Sequence, residues 1–370
     1  MDRISIAVPV LNGNEKKYLN ECVDTGWVSA NGRFIESFQK SFAEFCGSRY
    51  ALACSNGTVT LHLALIALNI QPGDEVIMPT LTYIATANAV RYCGATPVFV
   101  DSDPDTWNLN IAAVEAAITP RTKAIIPVHL YGLCCDMTAL NEIAGRHNLP
   151  IIEDAAEAHG ARWQGKPVGS IGTIGSFSFY GNKIITCGEG GMLVTDDEGL
   201  YNTMQLYRSQ GTDPTFRRYW HTVSGYNYRM TNMQAAVGLA QLENIEWHLG
   251  QRRRVANAYL ERFKQKLDGY VTTQRVDDPR NHANWMSSIL LTDKVKKTRD
   301  EVMAGMEAQN IEMRPLFYPM HVMPPFYDAD ASFPVAERLS ERGVNLPSHA
   351  LMDEEKIDYV VDCLQKIIVP

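Results

Sequence analysis

Between residues 51 and 153, short apolar runs alternate with segments of helical length, and no other feature of this chain narrows its fold so far. The runs at 51–54, 75–78, 97–100, 124–128 and 150–153 read as strands, and the stretches at 58–68, 84–92, 112–118 and 137–146 as helices. Strands separated by helices of this length form βαβ units, whose parallel or mixed sheet carries helices on both faces. The class expected is α/β. Ahead of this block, Phe34, Phe38, Phe42 and Phe45 recur at helical spacing and predict a core-facing helix over 33–46. Beyond Met192-Leu193-Val194 the pattern changes. A polar stretch with Arg217, Arg218 and Trp220 leads to a long helical segment over 232–266, a strand-like run at 285–291 and a helix at 298–309. A loop with Pro315, Pro319, Pro324 and Pro325 follows. We expect a boundary near residue 245, on the long helix, dividing a large α/β domain (1–245) from a smaller α+β domain (246–370).

Bulk properties remove several function classes. With 45% hydrophobic and 21% charged residues, the chain has the balance of a soluble globular protein with a large core. A formal net charge of −8 argues against nucleic acid or an anionic membrane as partner. The run Arg252-Arg253-Arg254 reads as a solvated helix face. The apolar stretch at 4–11 is short and broken by Pro9, so no secretory signal is expected, and no apolar run is long enough to span a membrane. The eight cysteines form no C-x-x-C pair, which fits reduced thiols in a cytoplasmic protein. The nine histidines show no metal-ligand spacing with them, and no metal is expected.

Three segments fit one cofactor. Ser55-Asn56-Gly57-Thr58 sits at a strand-to-helix junction, where glycine admits a phosphate and the helix offers free N–H groups. The same tetrapeptide is also an ordinary turn with an N-cap. In Ile152-Glu153-Asp154-Ala155, a carboxylate ends a buried strand, the position at which open α/β sheets bind ligands. A buried Asp can keep the pyridine nitrogen of pyridoxal 5′-phosphate protonated, as its electron sink requires; alternatively Asp154 caps a following helix. In the third segment, Ser176 to Lys183, an alternating strand delivers Lys183 into a glycine-flanked loop before Gly188-Glu189-Gly190-Gly191. A lysine there can form a Schiff base and shuttle a proton, or be a surface lysine in a turn.

Taken in order, with Asp154 ahead of Lys183, these segments resemble the sugar aminotransferases of the DegT/StrS group, within the aspartate-aminotransferase superfamily (fold type I). The likeness runs over nearly the whole chain, through Gly26-Trp27-Val28-Ser29, Leu61-His62-Leu63-Ala64-Leu65, Pro72-Gly73-Asp74-Glu75-Val76, Val128-His129-Leu130-Tyr131-Gly132 and Gly225-Tyr226-Asn227-Tyr228-Arg229. The resemblance implies pyridoxal 5′-phosphate as cofactor and a mixed, mostly parallel sheet flanked by helices. It implies that Lys183 is the Schiff-base lysine and general acid/base, and that Asp154 pairs with the ring nitrogen. Gly57, Thr58 and Ser178 would hold the phosphate, with Asn56 in the same cofactor set. Tyr83 would stack on the ring or else pack in the core. Asn227 would reach the phosphate of a neighbouring subunit, which implies a homodimer with shared active sites. Arg229, in the same motif, reads as an ion-pair residue.

Glu157 stands where most of that group has Gln, beside the cofactor's phenolic oxygen. With Asn182-Lys183, the segment from Arg314 to His321 and Gly343-Val344-Asn345-Leu346-Pro347, it resembles the branch that aminates GDP-4-keto-6-deoxymannose with L-glutamate as donor. Other readings stand beside it. A UDP- or dTDP-linked keto sugar or an eight-carbon keto sugar acid could be the acceptor; Arg217, Arg218, Arg314 and His321 are pyrophosphate-binding candidates by type and region. A sugar dehydratase of the same fold carries histidine where Lys183 stands. A non-catalytic regulator would need a partner-binding module for which the chain has little room.

Overall fold

The computed structural model describes residues 2–213, 217, 219–277 and 280–370. Helices α1 (Glu15–Thr25) and α2 (Arg33–Cys46) precede the first strand, β1 (Tyr50–Cys54). Then α3 (Gly57–Ala67) leads to β2 (Glu75–Pro79), α4 (Ala85–Tyr92) to β3 (Thr96–Val100), α5 (Ile111–Ala116) to β4 (Thr122–Ile125), and α6 (Met137–His147) to β5 (Ile152–Asp154). A small hairpin of β6 (Arg162–Trp163) and β7 (Lys166–Pro167) follows, then β8 (Ile174–Ser178), β9 (Gly191–Thr195) and α7 (Glu198–Arg208). Residues Asn56, Asn110, Asp136 and Asp197 each place a side-chain oxygen on an otherwise unpaired N–H in the first turn of the following helix. Short polar caps thus mark most of the switches from extended to helical backbone.

The hydrogen-bonded groups β1-β9-β8-β5 and β3-β2-β4 join through parallel bridges, Ile125 to Ile151 and Val128 to Asp154, into one mixed sheet. Pairings β2–β3, β2–β4 and β5–β8 are parallel, and β9 alone runs antiparallel to its neighbours β1 and β8. This is the mixed α/β sheet of the aspartate-aminotransferase fold, and its parallel carboxyl ends gather on one side. Every residue of β8 is buried. The alternation expected from Ser176 onward holds in direction, with Ser176 and Ser178 turned toward α3 and Phe177 toward α2, and both faces are covered, as in a central strand between helical layers. The Phe stripe of α2 closes one face, where Phe42 meets Phe177 edge-on at 4.9 Å and Phe179 at 5.3 Å.

The long helical segment is two helices, α8 (Asn232–Glu243) and α9 (Ile245–Lys266), interrupted at Asn244 (ψ 17°). Thr231 and Gln234 form a reciprocal capping box that starts α8. The chain continues through β10 (Val271–Thr272), β11 (Arg280–Asn281), β12 (Ser287–Leu291), α10 (Arg299–Glu307), β13 (Arg314–Pro315), α11 (Pro334–Arg342), β14 (Gly343–Leu346) and α12 (Glu354–Ile368). Strands β10-β12-β14-β13 form a second, antiparallel sheet. A separate apolar core lies on it, built from Val255 through Ile368 and joined by Ile4 from the chain start, which bridges Ile311. No helix among the described residues is long and apolar enough to cross a membrane.

Candidate active site

The functional side chains collect at the carboxyl ends of β5 and β8, which lie side by side with Asp154 paired to Ser176. Two adjacent acids end β5, and the two-residue period of a strand sends them to opposite faces. Glu153 turns away from the site: its carboxylate accepts N–H bonds from Gly169 (2.8 Å), Ile171 (2.7 Å) and Gly172 (2.5 Å) and a bond from His129 Nε2 (3.0 Å). His129 Nδ1 accepts the Cys135 N–H, so Nε2 carries the proton given to Glu153. Asp154 turns toward the site. Its Oδ2 accepts from Thr86 Oγ1 at 2.8 Å and its Oδ1 from the Ala156 N–H at 3.2 Å. No helix follows it, so its side chain closes a turn rather than capping a helix.

Past the end of β8 the chain turns, and the Lys183 N–H donates to the Tyr180 carbonyl at 2.9 Å. The Lys183 ammonium stands 3.8 Å from Glu157 Oε1 and 3.9 Å above the indole ring centre of Trp285. The other Glu157 oxygen accepts the Tyr131 N–H at 2.7 Å. Tyr131 takes a left-handed backbone (φ 55°), costly for a large side chain and typical of residues aimed at a functional centre.

Burial dominates the electrostatics. It pushes the Lys183 amine below its ordinary 10.5, while Glu157 and then Asp154 pull it part of the way back. It pushes Asp154 above 3.8 against the opposing hydrogen bonds from Thr86 and Ala156. Glu157 is pushed up to about 7 by burial, with Lys183 and the Tyr131 N–H opposing. The centre thus holds an amine that loses its proton more readily and acids that keep theirs longer than in water.

A second part of the site is the start of α3. Asn56 caps this helix by accepting the Val59 N–H at 3.0 Å, and Thr60 Oγ1 meets Ser176 Oγ at 2.7 Å, tying the helix to β8. A Cβ on Gly57 would stand 2.7 Å from Ser178 Cβ, so only glycine allows the helix terminus and the strand end to approach this closely. Free N–H groups and the positive end of a helix, with a serine hydroxyl beside them, suit a phosphate. An amine, a buried acid with lone pairs to spare and a phosphate seat together fit pyridoxal phosphate.

The expected residues do not all converge within the one chain. Tyr83 is 60% exposed, which sets aside core packing. Its carbonyl accepts from Thr86 Oγ1 at 3.4 Å, so it stands beside Asp154, and its ring faces Phe317 at 6.0 Å. Asn227 is exposed, in a segment whose Tyr228 carbonyl accepts the Ser55 N–H at 2.8 Å, and its Oδ1 accepts from Arg229 Nε at 3.2 Å. His321 is buried with both ring nitrogens engaged, by Thr80 Oγ1 and Glu337 Oε1 at 3.1 Å each, which corrects its reading as a pyrophosphate ligand. Arg314 pairs with Glu312, Arg217 lies over Trp220, and Arg218 is outside the described residues. Sequence reasoning missed Thr86, Tyr131 and Trp285. Thr86 lies three residues after Tyr83 at the start of a helix, a spacing that could have revealed it; Trp285 has no local signal.

A model of the DegT/DnrJ/EryC1/StrS aminotransferase family matches residues 9–365. The chain is 53% identical to GDP-perosamine synthase of Caulobacter vibrioides over 370 residues, covering 100% of this chain and 99% of the relative. It is 46% identical to GDP-perosamine synthase of Escherichia coli O157:H7 over 366 residues, covering 99% of each. Among solved structures, DesV of S. venezuelae in complex with a ketimine intermediate superposes with a TM-score of 0.91 at 32% identity, covering 99% of this chain and 98% of that one. The chain belongs to the DegT/DnrJ/EryC1/StrS aminotransferase family and is a pyridoxal phosphate-dependent aminotransferase.

Proposed function

We propose that this enzyme moves the amino group of L-glutamate to C4 of GDP-4-keto-6-deoxymannose, giving GDP-perosamine for a surface polysaccharide such as O-antigen. Full-length kinship with two GDP-perosamine synthases carries this reading. The site supports the chemistry. Bound there, pyridoxal phosphate supplies an aldehyde that captures amines and a ring that draws electrons from the neighbouring carbon. Lys183 holds the cofactor at rest. Its Nζ then takes the proton from the amino-bearing carbon of glutamate and later delivers one to C4 of the sugar. Asp154 would keep a proton on the pyridine nitrogen, with Thr86 fixing and stabilising its carboxylate against the burial that disfavours its charge. Glu157 would face the phenolic oxygen, Tyr83 would cover the ring, and Asn56, Gly57, Thr58 and Ser178 would hold the phosphate. Asn227 contributes to the neighbouring subunit's site in a cytoplasmic homodimer, and the break at Asn244 separates the two domains.

A panel of GDP-, UDP- and dTDP-linked 4-keto-6-deoxy sugars, each given with glutamate and read by the mass of the amino product, tests the substrate. Turnover of the GDP-mannose derivative at least tenfold above the others is expected. Preference for a UDP- or dTDP-linked sugar would replace this reading with the other acceptor class.

A further inference from the structure

Lys183 has a partner from a segment far along the sequence, Trp285 lying 103 residues beyond Asn182. Trp285 comes from the segment leading into β12, is 5% exposed, and is fixed from several sides. Its Nε1–H donates to the carbonyl of Asn182, the residue before Lys183, at 2.8 Å. Its ring stacks on Tyr131 at 6.2 Å with 22° between planes, and its own carbonyl accepts from the buried Arg252 Nη1 at 3.0 Å. The indole face is thus held rigidly under the ammonium, 3.9 Å away, while Glu157 stands at 3.8 Å. Asp154 also acts on the amine, and the amine in turn helps to hold the buried His159 neutral.

We infer that Trp285 is a positioning residue for the catalytic amine: its indole face is the seat that Lys183 occupies while it is an ammonium, in cofactor-free protein and between taking up its proton and delivering it. The inference rests on Lys183 being the reacting amine. Transamination frees this amine in every cycle, and a free amine in a dry site needs a defined place from which to return. A ring quadrupole stabilises the charged form without contributing a titratable group or a hydrogen-bond acceptor, so it parks the ammonium and releases the neutral amine. The bond to cofactor forms when the neutral amine displaces the amino product from its imine or, in cofactor-free protein, adds to the free aldehyde with loss of water, so its rate follows the unprotonated fraction of Lys183.

The experiment measures imine formation between cofactor-free protein and pyridoxal phosphate by absorbance across pH, with borohydride trapping and peptide mapping to locate the bond. Trp285→Leu removes the quadrupole. The midpoint should fall by about one pH unit, and capture below the midpoint should accelerate by roughly tenfold, the size expected of a desolvated cation–π contact. Trp285→Phe keeps a weaker ring face and should shift it in the same direction by roughly a third as much. A purely structural role predicts slower capture, the opposite sign. Label at Lys183 with a midpoint unmoved in both variants overturns the role of the indole and leaves the assignment of the lysine intact. Label elsewhere in the parent protein overturns that assignment and this inference with it. Should the Leu variant fail to fold, the Phe variant decides: a downward shift supports the seat, and none overturns it.

Discussion

Burying Glu157 beside Lys183 makes the charge of each depend on the other, and the balance varies with pH. Folding moves the Glu157 carboxyl from 4.5 to about 7, so the native chain holds this proton more tightly than the unfolded chain. The resulting stabilisation is complete below about pH 4.5 and is lost as pH rises through about 7. Between pH 5 and pH 8, cofactor-free parent protein should therefore lose more stability than Glu157→Gln, which has no proton to give up. The difference should be on the order of 2 kcal/mol. Calorimetric melting across that range checks it, and parallel curves would take Glu157 out of the ionic balance. Asp154 depends on a different kind of neighbour: Thr86 satisfies Oδ2, so the acid stays oriented although its surroundings disfavour its charge.

At the level of elements, the site is a meeting of one helix start with two strand ends. Helix α3 begins at a glycine because a side chain there would press into Ser178 of β8. Gly57→Ala should push the helix terminus off the strand end and spoil the phosphate seat while leaving the Asn56 cap in place. Affinity for pyridoxal phosphate should fall by roughly tenfold, about 1.4 kcal/mol, in a titration of cofactor-free protein. Parental affinity would show that the phosphate sits elsewhere. The elements also show how far local pattern reaches. The strands and helices over 51–153 follow from apolar periodicity, with edges displaced by a few residues. The sequence reading has no counterpart to helices α1, α7, α11 and α12 or strand β14, and it does not show that both faces of β8 are covered, which is not a local property.

Across the whole molecule, the chain packs Trp285 into the core of the large sheet at the Lys183 turn just before it returns to the second core at Ile289 of β12, so each half of the chain supplies something the other lacks. The proposed shared-site homodimer would extend that logic to a second subunit, and Asn227 is exposed on its own chain. Lys183→Ala and Asn227→Ala should each be strongly impaired, yet mixing the two after dissociation should restore about one quarter of parental activity. Random pairing makes half the dimers mixed, and each mixed dimer carries one intact site of two. Mixed dimers confirmed by mass, with no recovered activity, would mean that Asn227 serves only its own chain.

The sequence by itself determined the fold class and three chemistry-bearing segments, because strand–helix alternation, a glycine at a helix start, and a lysine in a glycine-flanked turn are local patterns with local physical causes. Only the tertiary structure decided that Glu153 is spent on His129 and the 169–172 turn, that His321 is spent on Thr80 and Glu337, and that Thr86 and Trp285 stand against Asp154 and Lys183. Those outcomes depend on which faces of distant elements meet, and on the cost of leaving a buried polar group unpaired once they do.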